Sequence, residues 1–310
     1  IEDLEKALTS AVKEQGKEKL IEDIQTAIVK KVIIAENLYK KLNENDLKEI
    51  TNLLISLRVL DKTSYLSLFD VYAYDIFSNE FDIFFQEQKP DYIIYSATPS
   101  SQDPKDYECI YFNGLKKVKH LSSQLPKTKL FFISSTRVFN GYHNDILLDD
   151  DTPTNPSDPQ GEVLANAERL ITDTDDGIVF RLSGIYGLDR QMMIGLAKSP
   201  QSWPENRYTN RIFDTDAAHI IYQVIDAVHE GKAIATPRVI NVTDSQPIDL
   251  YTVLLFIRSK LKLQPIEDLT QDPVQGKRIV SSYLLKQMNY KFQYPDYQSG
   301  YLKIISTLVD

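Results

Sequence analysis

From Phe69 onward the chain alternates short apolar runs with longer amphipathic stretches. Tyr92–Tyr95, Leu130–Ile133, Ile178–Leu182 and Arg238–Val242 are β-rich runs bounded by Pro, Gly or charged residues, the pattern of buried strands. Val71–Tyr74, ending at Asp75, reads as one strand more. Between these runs, residues 104–123, 160–172, 215–230 and 248–262 carry apolar positions three and four apart, which predicts helices. Ser78 or Asn79 can cap another helix running to Gln88. Strands alternating with helices predict a parallel sheet with crossover helices on both faces.

The first sixty residues read differently. Ile1, Leu4, Leu8 and Val12 share one helical face, and Leu20, Ile24 and Ile28 resume that spacing after Gly16, with Lys and Glu opposite. Residues 1–29 are therefore expected to be a helical extension, possibly reaching residue 60, that packs on the body or on a second subunit. For residues 30–60 two readings stand. Apolar spacing continues the helices, with Asn45 as a cap. Alternatively Val32–Ala35 and Leu54–Leu57 are strands of a degenerate first βαβ unit. The expected layout is an α/β, Rossmann-like domain over 30–182, followed by 183–310, which combine the rest of that domain with a small C-terminal α/β lobe.

Composition narrows the function classes. The 310 residues are 42% hydrophobic and 25% charged, with net charge −9, so nothing draws the chain to nucleic acid or an anionic membrane. No apolar run approaches the roughly 20 residues that span a bilayer, and no signal-peptide pattern opens the chain. The single cysteine, Cys109, fits a reducing, cytoplasmic setting and sits at helical spacing among apolar neighbours, so a buried structural thiol is expected. The histidines at 120, 143, 219 and 229 lack metal-ligand spacing, and Asp149–Asp151 reads as a solvated loop, so no metal is expected. Only eleven glycines occur, and the first 113 residues hold only Gly16.

Phe131–Gly141, FFISSTRVFNG, and Asp158–Leu164, DPQGEVL, resemble paired segments of the extended short-chain dehydrogenase/reductases, the NAD-dependent epimerase/dehydratase family. There a strand ends in S-S-T-x-V-Y-G and a later helix opens with P-Y-G-x-x-K. Asp91–Pro99, Tyr111–Val118, Phe180–Gly187, Asn210–Ala217, Val239–Asp244 and Gly276–Tyr301 resemble further family segments in the family's order. The resemblance covers about residues 68 to 305 and implies a Rossmann-like fold.

It also implies site residues. Ser135 matches the catalytic hydroxyl, with Thr136 beside it. Gln160 stands at the Tyr position and Leu164 at the Lys position. Asp75 matches an adenine-binding acid, and Ser96, Ala97 and Thr98 match the turn against the ribose of NAD or NADP. Arg181, Tyr186 and Arg211 match positions on the substrate side, though Arg181 could instead pair with a buried acid. The glycine-rich pyrophosphate loop is missing, since Glu36–Lys41 occupies its nearest alignable place. A Gln amide has no proton to exchange near neutral pH, and a Leu supplies no cation. The expected function is therefore a diverged, pseudoenzyme-like member of the family that binds a small molecule in the remnant cleft or a protein through residues 1–60. The other reading is an active NAD(P)-dependent sugar-nucleotide epimerase, dehydratase or reductase with a displaced base.

Overall fold

The structure, a computed structural model, describes residues 74–125, 127–143, 146–173, 177–231, 238–266 and 276–309. The expected helical extension, the two readings of residues 30–60 and most of the strand before Asp75 lie outside them. The chain divides into two compact units, Ile1–Phe84 and Phe85–Asp310. In the first, Tyr74 packs on Phe84 with ring centroids 4.9 Å apart. Helix α1 (Asn79–Gln88) is entered through Ser78, whose hydroxyl accepts from the Phe81 amide as an N-terminal cap does.

In the second unit the chain runs through β1 (Tyr92–Tyr95) and α2 (Pro104–Tyr107). A π-helical turn, Glu108–Gly114, leads into α3 (Leu115–Ser122), and β2 (Lys129–Ser135) follows. Next come β3 (Ile146–Leu148), α4 (Pro159–Thr172), β4 (Gly177–Leu182) and β5 (Gly184–Tyr186). Then α5 (Met192–Lys198), β6 (Tyr208–Thr209), β7 (Arg211–Phe213), α6 (Asp214–His229) and β8 (Val239–Val242). The chain closes with β9 (Ile248–Asp249), α7 (Leu250–Lys260), β10 (Lys277–Ile279) and α8 (Tyr297–Val309).

The main sheet has the order β1-β2-β4-β8, every pair parallel. Its strands are apolar on both faces because helices cover both. Phe131, Phe180, Ile220, Val224 and Ile240 fill one core, each fully or almost fully buried. A second core holds Tyr186, Ile194, Phe213, Leu254, Tyr301 and Ile304, gathered by α5, α7 and α8. This is the C-terminal lobe, carried by the short pairs β5–β7, β6–β9 and β10–β3. Trp203 anchors its loop there, donating Nε1–H to the Leu196 carbonyl at 2.8 Å and packing against Tyr251.

Two sequence expectations are corrected. Cys109 is exposed, because the π-turn breaks the three-and-four spacing from which its burial was read. Asp150 is not solvated. It is buried and accepts from the amides of Asn241 and Tyr283 and the hydroxyl of Ser281, tying β8 to the segment after β10. Asp216, likewise buried, accepts from the Tyr290 hydroxyl and the Gln293 and Tyr294 amides. In both, a buried carboxylate collects donors from distant loops, as burial requires.

Candidate active site

Ser135 ends β2 at half burial, and its hydroxyl accepts from the Arg137 amide at 3.2 Å, capping the 3₁₀ turn Thr136–Phe139. Thr136 lies beside it, also half-buried. Ser134 points into the core, where its hydroxyl donates to Glu168 at 2.7 Å. Helix α4 begins at Pro159 because Asp158 caps it, accepting from the Gly161 amide at 2.8 Å. The hydroxyl strand and the helix that carries the two altered positions thus meet as the resemblance implies.

What fills the altered positions is a closed polar network. Arg137 donates Nε–H to Asp158 at 2.8 Å and Nη2–H to the Gln160 amide oxygen at 3.2 Å. Its third arm reaches the Gln102 side chain at 3.1 Å. The Gln160 amide nitrogen donates to the Gln102 carbonyl at 2.6 Å. Gln160 is therefore held at both ends, by a cation and by the loop between β1 and α2. Asp158 also accepts from Asn140 at 3.0 Å, and these donors hold its carboxyl below the usual range despite the opposing effect of burial.

Leu164 is 1% exposed, so the position that would present an ammonium presents core hydrocarbon. Tyr142, Tyr186, His143 and Asp189 lie nearby in sequence or in family position. Burial pushes the Tyr186 phenol far up, and the charge of Asp244 adds to it. The Tyr142 hydroxyl donates to the Pro153 carbonyl, and His143 and Asp189 are exposed.

The substrate-side arginines are buried. Arg181, 4% exposed, pairs with Glu168 through Nη2 at 2.7 Å and Nε at 3.1 Å, and lies over the Phe139 ring. Of the two uses read from the sequence, this is the pairing with a buried acid. A cavity of about 500 Å³ borders this pair, lined also by Asp151, Thr154, Arg169 and Arg238. Arg211, 4% exposed, donates to the Thr209 hydroxyl at 2.7 Å, while its Nη1 has no hydrogen-bond partner. Tyr186 is buried between Phe213 and Tyr301, with its hydroxyl 3.3 Å from the Asp296 carbonyl.

For a dinucleotide, the described residues divide. Ser96, Ala97 and Thr98 form an exposed extended turn after β1, open to a ligand. Asp75 is exposed, and its carboxylate accepts from the Phe77 amide. At the nicotinamide-ribose end, Leu164 and the engaged Gln160 do not fit the group as the family holds it, so no hydride step follows from these residues. Among the described residues, no cluster of three or more His, Cys, Asp or Glu could hold a metal ion. No described helix is long and apolar enough to cross a membrane. Sequence reasoning missed Arg137, Gln102, Asn140 and Lys277, whose partners lie 18 to 137 residues away.

No protein-family model matches the chain, and no curated protein matches it significantly. Solved structures do. A provisionally assigned NAD-dependent epimerase/dehydratase from Methylobacillus flagellatus is 28% identical, with TM-score 0.67, over 79% of this chain and 88% of that one. The dTDP-glucose 4,6-dehydratase of Bacillus anthracis, in complex with NAD, is 16% identical, with TM-score 0.60, over 76% and 78%. The dTDP-4-dehydrorhamnose reductase of the same organism, in complex with NADP, is 16% identical, with TM-score 0.59, over 81% and 93%. The chain thus has an extended short-chain dehydrogenase/reductase-like fold, similar to those of NAD-dependent epimerases, dehydratases and reductases.

Proposed function

We propose that this chain is a diverged epimerase/dehydratase-like protein that binds a small molecule without carrying out the family's oxidoreductase chemistry. The observation that carries this is the state of position 160: an amide bonded to Arg137 and to the Gln102 carbonyl, with Leu164 buried one turn later. General-base catalysis contributes about 10²–10⁴ in rate, and neither residue supplies it. With NAD+, NADP+, NADH or NADPH and a panel of sugar nucleotides, no conversion of any sugar nucleotide is expected by chromatography and NMR. Conversion is the readout because epimerisation and dehydration return the hydride and leave absorbance at 340 nm unchanged. Turnover that Ser135→Ala abolishes would overturn the reading.

The second reading is an enzyme on a sugar nucleotide with a displaced base. The open turn Ser96–Thr98 and the retained Ser135 hydroxyl favour it, as do the NAD and NADP complexes among the similar structures. Thermal shift with NAD+, NADH, NADP+ and NADPH separates the two readings at the first step. A Kd near 10 µM would add about 2.7 kcal/mol at 1 mM ligand. No shift with any of the four removes the second reading.

A further inference from the structure

Lys277 is a cation that the fold half-buries with no acid among the described residues within ion-pair distance. Strand β10 alternates, so Lys277 shares a face with Ile279, which is 1% exposed, and its stem is drawn inward. Its Nζ makes one hydrogen bond, donated to Asn140 Oδ1 at 2.8 Å. Among the described residues, no carboxylate lies within ion-pair distance. Asp158 carries the charge that favours the ammonium, yet its oxygens already serve Arg137, Asn140 and the Gly161 amide. The orientation of Asn140 follows from chemistry: its amide nitrogen faces the carboxylate and its oxygen faces the ammonium.

A second cation, Arg207, is carried by the segment that adjoins β10. Residues 207–210 run against β10: the Asn210 amide clamps it, donating to the Lys277 carbonyl and accepting from the Ile279 amide. Gly276, at φ +137°, lies against the Tyr208 backbone, a close approach that suits glycine. Arg207 is exposed here, and its charge works against the Lys277 ammonium, adding to burial in lowering its pKa. The two cations repel each other, and an anion accepting from the spare N–H donors of the half-buried Lys277 would offset that repulsion. A continuous chain of hydrogen bonds leads from Lys277 through Asn140, Asp158 and Arg137 to Gln160.

We propose that Lys277 and Arg207 form a binding site for an oxyanion group, phosphate or carboxylate, of the molecule held near Ser135 and Gln160. The proposal deepens the binding-module reading, and it stands whether or not a dinucleotide binds, because its probes are simple anions. Inorganic pyrophosphate and malonate are titrated separately at constant ionic strength, with heat of binding and the acetylation rate of Lys277 by mass spectrometry as readouts. Binding of either probe with at least threefold protection of Lys277 supports the site, and the stronger probe names the group. Lys277→Met and Arg207→Gln should each weaken binding about tenfold or more, while Lys277→Arg retains most of it. Should Lys277→Met fail to fold, the protection measured on the unaltered chain decides. Neither probe changing the labelling of Lys277, or Arg207→Gln leaving the affinity intact, overturns the proposal. Failure of the binding-module reading would show separately, as conversion of a sugar nucleotide followed by chromatography and NMR.

Discussion

Asp244 gives the sharpest prediction about pH. It follows β8 and is 3% exposed; Oδ1 accepts from the Gln246 amide at 2.9 Å, while Oδ2 has no hydrogen-bond partner. Burial pushes its carboxyl up from 3.8 to about 7, with Asp296 and Asp216 adding to it and the Gln246 amide and Arg211 opposing. The folded value thus lies above the unfolded one. Between about pH 4 and 7 the folded chain holds a proton that the unfolded chain has released. Stability therefore falls as pH rises through that window and levels off above it. At 1.36 kcal/mol per pH unit, three units set a ceiling of about 4 kcal/mol. Asp244→Asn keeps the acceptor for Gln246 and removes the titration. Urea unfolding followed by circular dichroism at pH 5, 6, 7 and 8 measures it. Asp150, also raised by burial, titrates in the same direction, so the readout is the difference between the two proteins. The variant should lose up to one proton's worth of slope and exceed the parent at pH 8 by roughly 2–4 kcal/mol. An unchanged slope, or a variant less stable at pH 8, would refute the reasoning, the latter by showing that the ionised carboxylate stabilises the fold through Arg211.

Three further outcomes are expected. Leu164→Lys should cost about 2–5 kcal/mol in urea unfolding, because core packing is lost and an ammonium is buried, without gaining affinity for NADH in calorimetry. Arg181→Met alone should cost about 3–5 kcal/mol by stranding Glu168, and adding Glu168→Leu should restore most of it, as a double-mutant cycle would record. Gly177→Ala should lower the melting temperature by several degrees, since its Cβ would meet the Leu130 carbonyl oxygen on the neighbouring strand, which cannot move aside.

The parts of this fold that are local in sequence were legible. YIIY, KLFFISS, GIVFRL and VINV are strands because each is a short apolar run, and their alternation with helices implied a parallel sheet. Apolar spacing places a helix over residues 160–172, one residue short of the observed start of α4 at Pro159. What was not legible depends on pairs far apart in the chain. Nothing near Asp150 says that it will cap residues 241 and 283, and no periodicity announces strands of two or three residues such as β6, β9 and β10. Cys109 was misplaced because a π-turn shifts the helical register by a residue, which spacing rules do not foresee.

The same nonlocality governs the candidate site. Gln160 and Leu164 can be read as losses from the sequence, but their meaning lies in the partners that closed around them. A guanidinium that is partly out of water must keep its acceptors, and Arg137 distributes its donors among Asp158, Gln160 and Gln102. Restoring tyrosine at 160 would remove the acceptor for Arg137 Nη2 and the donor for the Gln102 carbonyl together, and each orphaned group costs about 1–3 kcal/mol where water cannot replace the partner. Restoring lysine at 164 would drive a charge into the core. The proposed reading therefore predicts that restoring both residues does not give the family's chemistry, because the amide at 160 is hydrogen-bonded at both ends and the side chain at 164 lies in the core. An apolar residue at 160 would leave Arg137 Nη2 and the Gln102 carbonyl without the partners that the Gln160 amide supplies, while Arg137 would keep Asp158 and the Gln102 side chain.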